Sequence, residues 1–131
     1  MLKLLDRFDL DSFRETRKIA AMACISNLKT KDPGAAVEDV LDFFDDAAFL
    51  VKKGALDTEM TWHAFYHWVR LYFQAAEQHI MAYRKREPPV WNYLCWIYPR
   101  LNGFEKTQRP STYREKLDDE DLKRQLEEEI F

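Results

Sequence analysis

The chain has 131 residues, a net charge of −3 and only 3 glycines. This length suits one domain with its own core, and the scarcity of glycine favours helices over a turn-rich sheet protein. The near balance of 20 basic and 23 acidic residues, without a clustered basic surface, gives no reason to expect nucleic acid binding, and an aromatic share of 15% excludes a disordered chain.

The N-terminal segment, Met1–Leu10, is apolar but is interrupted by four charged residues. No signal peptide is therefore expected, and no stretch of the chain approaches the roughly 20 apolar residues of a membrane span. The cysteines, Cys24 and Cys95, both lie in apolar stretches, which predicts two buried thiols in a reducing compartment. We expect a cytoplasmic protein without an integral membrane segment.

The first predicted helix runs from Ser12 to Leu28. Ser12 and Glu15 match a capping box, in which each side chain satisfies a free amide at the helix start. A run of small residues on this helix permits close approach of a neighbouring helix. A turn is predicted at Lys29–Gly34, because this segment contains the sequence Asp-Pro-Gly.

The second predicted helix, Ala35–Lys53, has start, periodicity and stop signals that agree. Gly54 follows it as a C-terminal cap. Apolar residues recur at helical spacing: Val37, Val40, Leu41, Phe44, Ala48 and Val51.

Acidic residues line another face of this second helix. Asp45 lies among the apolar positions, so we expect it to be partly buried and to form a structural ion pair. Arg84 is the predicted partner, and Arg17 and Arg14 are alternatives. A magnesium or calcium site is the competing interpretation, but such sites usually include loop carbonyls or phosphates as well.

The third predicted helix starts after Asp57 and reaches Arg86, before a Pro-Pro pair. Its apolar stripe faces the core, and its polar face carries His63, His67, Arg70, Gln74 and Glu77.

The two histidines, His63 and His67, stand at i and i+4, a spacing that can bind zinc. Glu59 lies one turn earlier, but no third ligand from another helix is evident. We therefore predict no metal and no cofactor, and a metal or small-ligand site at these histidines remains the alternative.

The fourth predicted helix begins near Pro89, and Pro99 is expected to kink or end it, with Asn102-Gly103 closing the segment. It is apolar nearly all round, which predicts cover by another segment or by a second copy of the chain. Phe104–Lys116 is predicted to be extended. The last helix, Asp118–Glu129, carries a narrow apolar stripe that docks on the bundle or on a partner, with fraying to disorder as the competing outcome.

Together these elements predict an all-α fold: an antiparallel four-helix bundle or variant with an additional C-terminal amphipathic helix. The chain forms one domain, 1–131, with a helical core at 11–103 and an extended segment and terminal helix at 104–131.

This pattern contains more apolar helical surface than one small bundle needs, which suggests a partner-binding face. Trp68 is the main signal, because it lies off the apolar stripe of its helix. The residues expected to bind a partner are Trp68, Leu71, Trp91, Trp96, Leu122 and Leu126.

The central two-thirds of the chain resembles a family of small bacterial helical proteins known only as a domain of unknown function. The matching segments are Val40–Asp45 (VLDFFD), Leu50–Asp57 (LVKKGALD), Tyr72 and Ile80–Arg84 (IMAYR). Position 45 is Asp, where Glu is more usual in the family. The resemblance implies that an N-terminal membrane segment is common in relatives, although we expect none in this chain, and it implies no activity.

No catalytic constellation is visible: the chain has no glycine-rich elbow, no phosphate loop and no Cys-x-x-Cys. We expect a non-catalytic helical protein that acts through interaction with another protein or with itself, including as a homodimer. The alternative is a helical bundle that binds a small ligand or metal on the face carrying His63 and His67.

Overall fold

The structure, a computed structural model, describes residues 2–26 and 34–131. Within these two segments all regular structure is helical, which confirms the all-α class and the C-terminal helix. The helices are α1 (Leu2–Asp9), α2 (Asp11–Ser26), α3 (Ala35–Lys52), α4 (Thr58–Ala75), α5 (Glu77–Arg86), α6 (Asn92–Gln108) and α7 (Asp119–Ile130). The predicted helix end at Leu28 and most of the predicted turn at Lys29–Gly34 lie outside the described residues.

Local capping chemistry sets several of the helix ends. The side chain of Asp57 accepts a hydrogen bond of 3.0 Å from the amide of Glu59 at the start of α4. Asp118 caps α7 in the same way, through the amide of Asp121 at 2.8 Å. Gly54, two residues after α3, has a φ of 81°, a left-handed conformation that glycine adopts without steric cost.

Helix α1 was not predicted, although Leu4 and Phe8 are spaced one turn apart. Both side chains are buried. The ring of Phe8 lies 5.5 Å from that of Phe43 on α3 and 5.3 Å from that of Phe65 on α4. The charged residues that interrupt this segment are consistent with an amphipathic helix whose apolar side closes one part of the core.

The segment predicted as one long third helix forms two helices, because the helix is interrupted at Ala76, between α4 and α5. No proline or glycine marks this position. Next to the break, the buried side chain of Gln74 accepts a hydrogen bond from the amide of Leu117 at 2.8 Å and donates one to the carbonyl oxygen of Glu115 at 2.9 Å. The end of α4 therefore anchors the segment that leads into α7.

Helix α6 continues through Pro99 and ends at Gln108, so the predicted stop at Asn102-Gly103 is wrong and the first part of the segment predicted as extended is helical. Pro99 is exposed, where water can satisfy the carbonyl that loses its amide partner. Beyond it, α4 holds α6 through buried polar contacts to Asn102 and Glu105. These tertiary contacts outweigh the local helix-breaking signal.

The core lies where α3 packs against α2, α4 and α6. Helix α7 packs against α2 and α4 and covers that side of the core with Leu122 and Leu126. Within the described part of the chain, no helix combines the length and the apolar character needed to cross a membrane.

Candidate functional site

A small polar pocket of about 180 Å³ opens between α4 and the end of α6. We call it the α4–α6 pocket. Five of its lining residues come from α4, one comes from α6, and one follows the last residue of α6: Trp62, His63, Tyr66, His67, Arg70, Glu105 and Arg109. The α4 residues fall at successive helical turns, so one face of that helix forms most of the wall.

On the α6 side of the pocket, the polar groups already have hydrogen-bond or ion-pair partners within the chain. Glu105 is buried and accepts a hydrogen bond from the indole Nε1 of Trp62 at 3.1 Å. Its other carboxylate oxygen lies 3.8 Å from a guanidinium nitrogen of Arg109. The hydroxyl of Tyr66 donates a hydrogen bond of 2.9 Å to the amide oxygen of Asn102. Burial raises the pKa of Tyr66 to about 12, so this hydroxyl stays protonated at neutral pH.

Arg70 differs from the other charged residues of the pocket because no carboxylate among the described residues lies within ion-pair distance of it. Its guanidinium carbon sits 5.1 Å from the ring centroid of Tyr66. Its Nε atom is buried and has no hydrogen-bond partner. The pocket therefore contains one cation that the rest of the described chain does not neutralise.

The two predicted histidines both line this pocket, as their spacing indicated. His63 is exposed and His67 is partly buried. Burial lowers the pKa of His67, the nearby Arg70 lowers it further, and Glu129 and Glu128 oppose this effect. The imidazole of His67 is therefore mostly uncharged at neutral pH.

A metal at these histidines finds no support in the surroundings. Within the described residues, no group of three or more His, Cys, Asp or Glu side chains is arranged to hold a metal ion. Arg70 shares the pocket with the histidines, and its unneutralised positive charge repels a bound cation.

Next to the pocket lies a shallow apolar depression of about 360 Å³, which we call the Met60 depression. It is lined by Leu5, Glu59, Met60, Trp62, His63 and Ala64. Trp62 and His63 line both sites, so the two lie side by side. The side chain of Met60 is 51% exposed, so its apolar surface is accessible to a ligand.

Four of the six residues predicted to bind a partner, Leu71, Trp91, Leu122 and Leu126, are buried in the chain's own core. The reason is intramolecular cover: α7 packs against α4 and buries its own two leucines, and Trp91 is covered by the ring of Tyr83 and by Asp42. The contact surface predicted from these four residues is therefore not presented to solvent.

The other two predicted contact residues, Trp68 and Trp96, are partly buried. Trp68 donates a hydrogen bond from Nε1 to Glu129 at 3.1 Å, and its ring packs edge-on against Phe8. The ring of Trp96 lies near two cations, 4.7 Å from the amine of Lys52 and 4.3 Å from the guanidinium carbon of Arg100. Both indoles are engaged within the chain.

The predicted ion pair between Asp45 and Arg84 does not form in the described part of the chain. Asp45 instead accepts a hydrogen bond of 2.8 Å from the amide of Leu94, in the first turn of α6. Arg84 donates to the side-chain oxygen of Asn92 at 3.4 Å. A half-buried acid needs a partner, and for Asp45 the N-terminus of α6 meets that need.

Asp42, one turn before Asp45, holds the same end of α6. It accepts a hydrogen bond of 2.8 Å from the indole of Trp91, the residue just before α6, which has a left-handed φ of 52°. Burial raises the pKa of both carboxyl groups. Two residues of the acidic face of α3, Asp42 and Asp45, thus hold the start of α6.

Sequence reasoning found part of the pocket. The spacing of His63, His67 and Arg70 places all three on one helix face, and this was visible in the sequence. Glu105 and Arg109 were missed because the segment after Gly103 was predicted to be extended, and no local signal indicated that α6 continues.

The family model described as Domain of unknown function (DUF4760) matches residues 1–101. The matched region includes every α4 residue of the α4–α6 pocket, whereas Glu105 and Arg109 lie beyond it. No curated protein and no solved structure matches the chain.

Proposed function

The chain belongs to this family of domains of unknown function, and we propose that it is a non-catalytic binding domain that recognises another protein. The α4–α6 pocket and the adjoining Met60 depression form the binding surface in this proposal. A polar recess beside an exposed apolar patch resembles a protein interface, in which an anchoring group is surrounded by apolar contact area.

The uncompensated charge of Arg70 carries the proposal. Partly buried charges in proteins are ordinarily paired, because removal of a charge from water is costly. Arg70 has a buried nitrogen without a partner and lines an open pocket. The Nε atom itself is closed to solvent, so an acidic group bound in the pocket would pair with the charge of the guanidinium and would not reach that nitrogen.

The size of the pocket favours a protein over an enclosed small ligand. Pockets for whole small molecules usually measure roughly 300–1,000 Å³. The α4–α6 pocket, at about 180 Å³, has room for one functional group. The rest of a ligand would lie outside, and the Met60 depression offers apolar contact there.

The groups that line the pocket also bear on whether the site is catalytic. The lining of the α4–α6 pocket contains no serine, threonine or cysteine. Cys24 is buried, and burial raises the pKa of its thiol to about 12, so that the thiolate needed for nucleophilic attack is scarce. Binding, rather than bond formation, suits the groups that line this site.

We further infer that α2, α3, α4 and α6 form a variant of a four-helix bundle with α7 as an added helix, which their mutual packing supports. We also propose a bacterial, cytoplasmic setting. Its support is the bacterial family that the chain resembles, together with two cysteines that are both free thiols, as a reducing compartment favours.

Site-specific photo-crosslinking in the source cells tests the proposed function. A photoreactive amino acid replaces Met60 in the full chain, and a matched control replaces Met81 on α5, which is 45% exposed. We expect a discrete protein adduct from position 60 that position 81 does not give. Equal labelling from both positions, or none from position 60, contradicts the proposal. An adduct with a second copy of the chain identifies the partner as the protein itself.

A further inference from the structure

We propose that the α4–α6 pocket is a carboxylate-binding site, which takes an acidic side chain of a partner segment while an apolar side chain of that segment covers the Met60 depression. This inference rests on the proposed function and names the chemistry of the partner. It follows from the pairing of one unneutralised cation with an adjoining apolar surface.

The charges of the pocket favour a single negative charge. The Arg109 guanidinium lies 3.8 Å from the buried Glu105 carboxylate, so these two charges largely offset each other. His67 is mostly uncharged at neutral pH. Arg70 is left as the one cation among these three basic side chains without a negative partner, and a carboxylate carries the single charge that matches it.

The same arrangement disfavours a phosphate dianion. Its second charge would find no further free cation among the described residues of the lining apart from the shared Arg109, and it would lie close to Glu105. A guanidinium also presents two parallel N–H donors whose spacing fits the two oxygens of a carboxylate. Charge number and donor geometry therefore agree on the ligand class.

The surroundings of Arg70 strengthen such a contact. The guanidinium lies beside the ring of Tyr66, and its Nε atom is shielded from water. A charged hydrogen bond gains strength where less water competes for it. The shared walls, Trp62 and His63, join this polar recess to Met60. A partner segment that carries an acid close to an apolar residue would fill both parts at once.

Selection from a random peptide library displayed on phage, with the full chain as bait, tests the inference. We expect enriched peptides to carry Asp or Glu beside an apolar residue. A synthetic peptide from this set is then compared with a twin in which the acid is replaced by its amide. We expect about ten- to hundredfold weaker binding of the twin, the usual effect of losing a hydrogen bond between charged groups.

Arg70→Met supplies the matched change on the protein. This substitution should weaken the binding of the acidic peptide by a similar factor and leave the binding of the amide twin unchanged. Arg86→Met, which removes an exposed arginine on α5, serves as the control and should alter neither affinity. Arg70→Lys retains the charge without the two-pronged donor and should give an intermediate loss, which keeps the test valid if Arg70→Met folds poorly.

Three results would overturn the inference. The first is an acid and an amide peptide that bind equally well. The second is binding of inorganic phosphate that is tighter than binding of acetate and depends on Arg70, which would assign the pocket to phosphate. The third is a Met60 crosslink that is unaffected by Arg70→Met, which would leave the protein-binding function standing without the carboxylate site. No crosslink and no selected peptide would remove both proposals.

Discussion

The hydroxyl of Tyr72 on α4 lies 2.9 Å from a carboxylate oxygen of Glu129 on α7 and 3.0 Å from the backbone carbonyl of Arg17 on α2. The second carboxylate oxygen of Glu129 accepts the indole N–H of Trp68. A guanidinium nitrogen of Arg17 lies 3.9 Å from the carboxylate oxygen of Glu129 that is near Tyr72. One acid of the terminal helix thus connects α2, α4 and α7 in a largely buried junction.

Replacement of Glu129 by glutamine should destabilise the fold by about 1–3 kcal/mol, the cost of leaving buried hydrogen-bonding groups unpaired. The amide group of glutamine places a donor where Trp68 or Tyr72 also presents one, and Arg17 loses its counter-charge. Urea denaturation followed by tryptophan fluorescence measures the change. Glu127→Gln on the exposed side of α7 is the control, with an expected change within about 0.5 kcal/mol. Equal effects of the two substitutions would contradict this role.

Asp45→Ala should cost about 1–2 kcal/mol, the usual contribution of a side chain that caps a helix. The loss arises because α6 has no cap of its own: the residue before it, Trp91, makes no side-chain cap hydrogen bond. Asp46→Ala is the control, since Asp46 is exposed and lies at 3.5 Å from Arg7, an ion pair with a contribution of less than about 1 kcal/mol. Thermal or urea denaturation gives both values.

A double-mutant cycle between Asp45 and Arg84 separates this capping role from the ion pair that the sequence suggested. We expect the effects of Asp45→Ala and Arg84→Met to add, because the two side chains bind different residues, Leu94 and Asn92. A coupling free energy above about 1 kcal/mol would instead restore the ion pair.

The sequence was sufficient to predict those helices whose start, periodicity and end are encoded by neighbouring residues. Helix α3 has its apolar stripe and its glycine stop within 20 residues of chain, and the structure places both ends within one residue of the prediction. The start of the next helix after Asp57 was also predicted, and the side chain of Asp57 caps α4 through a neighbouring amide. The family was identified from similarly local patterns.

Where contacts between distant segments decide the outcome, the sequence was not sufficient. Helix α6 passes Pro99 because α4 binds residues beyond it, and these partners are 36 and 43 positions away. Trp68 was taken as a partner contact because nothing in its own helix shows that Glu129 receives its indole. Only part of the pocket was predicted for the same reason. The spacing of residues along the chain places the α4 side chains on one face, but it does not indicate the wall formed by Glu105 and Arg109.

Cys24 should resist thiol reagents in the folded protein. Its side chain is buried, and burial raises the thiol pKa to about 12, so both access and thiolate concentration are low at pH 8. Cys95 is partly buried, and burial also raises its pKa, against a hydrogen bond from Arg84 that lowers it. We expect slow modification of Cys95 and modification of Cys24 only after denaturation. A Cys95→Ser variant that reacts rapidly in native buffer would contradict this placement.

His67 makes the stability of the fold depend on pH. Its pKa is lowered in the folded state from an ordinary value of 6.5, so the unfolded chain binds a proton more readily below that pH. Stability should therefore fall as the pH decreases from 6.5 towards the folded-state pKa, and His67→Gln should reduce this loss. The raised pKa values of Asp42 and Asp45 have the opposite effect on stability at lower pH. Both residues are present in both proteins, so their effects cancel in the comparison.

Protonation of His67 should also report on ligand binding in the α4–α6 pocket. NMR titration of the His67 ring proton, assigned by comparison with His67→Gln, should give a midpoint below 6.5 in the free protein. A bound carboxylate at Arg70 offsets the positive charge that helps to keep this ring neutral, so the midpoint should rise when the acidic peptide is added and should not rise with its amide twin. A midpoint at or above 6.5 in the free protein would show that burial and Arg70 do not govern this imidazole.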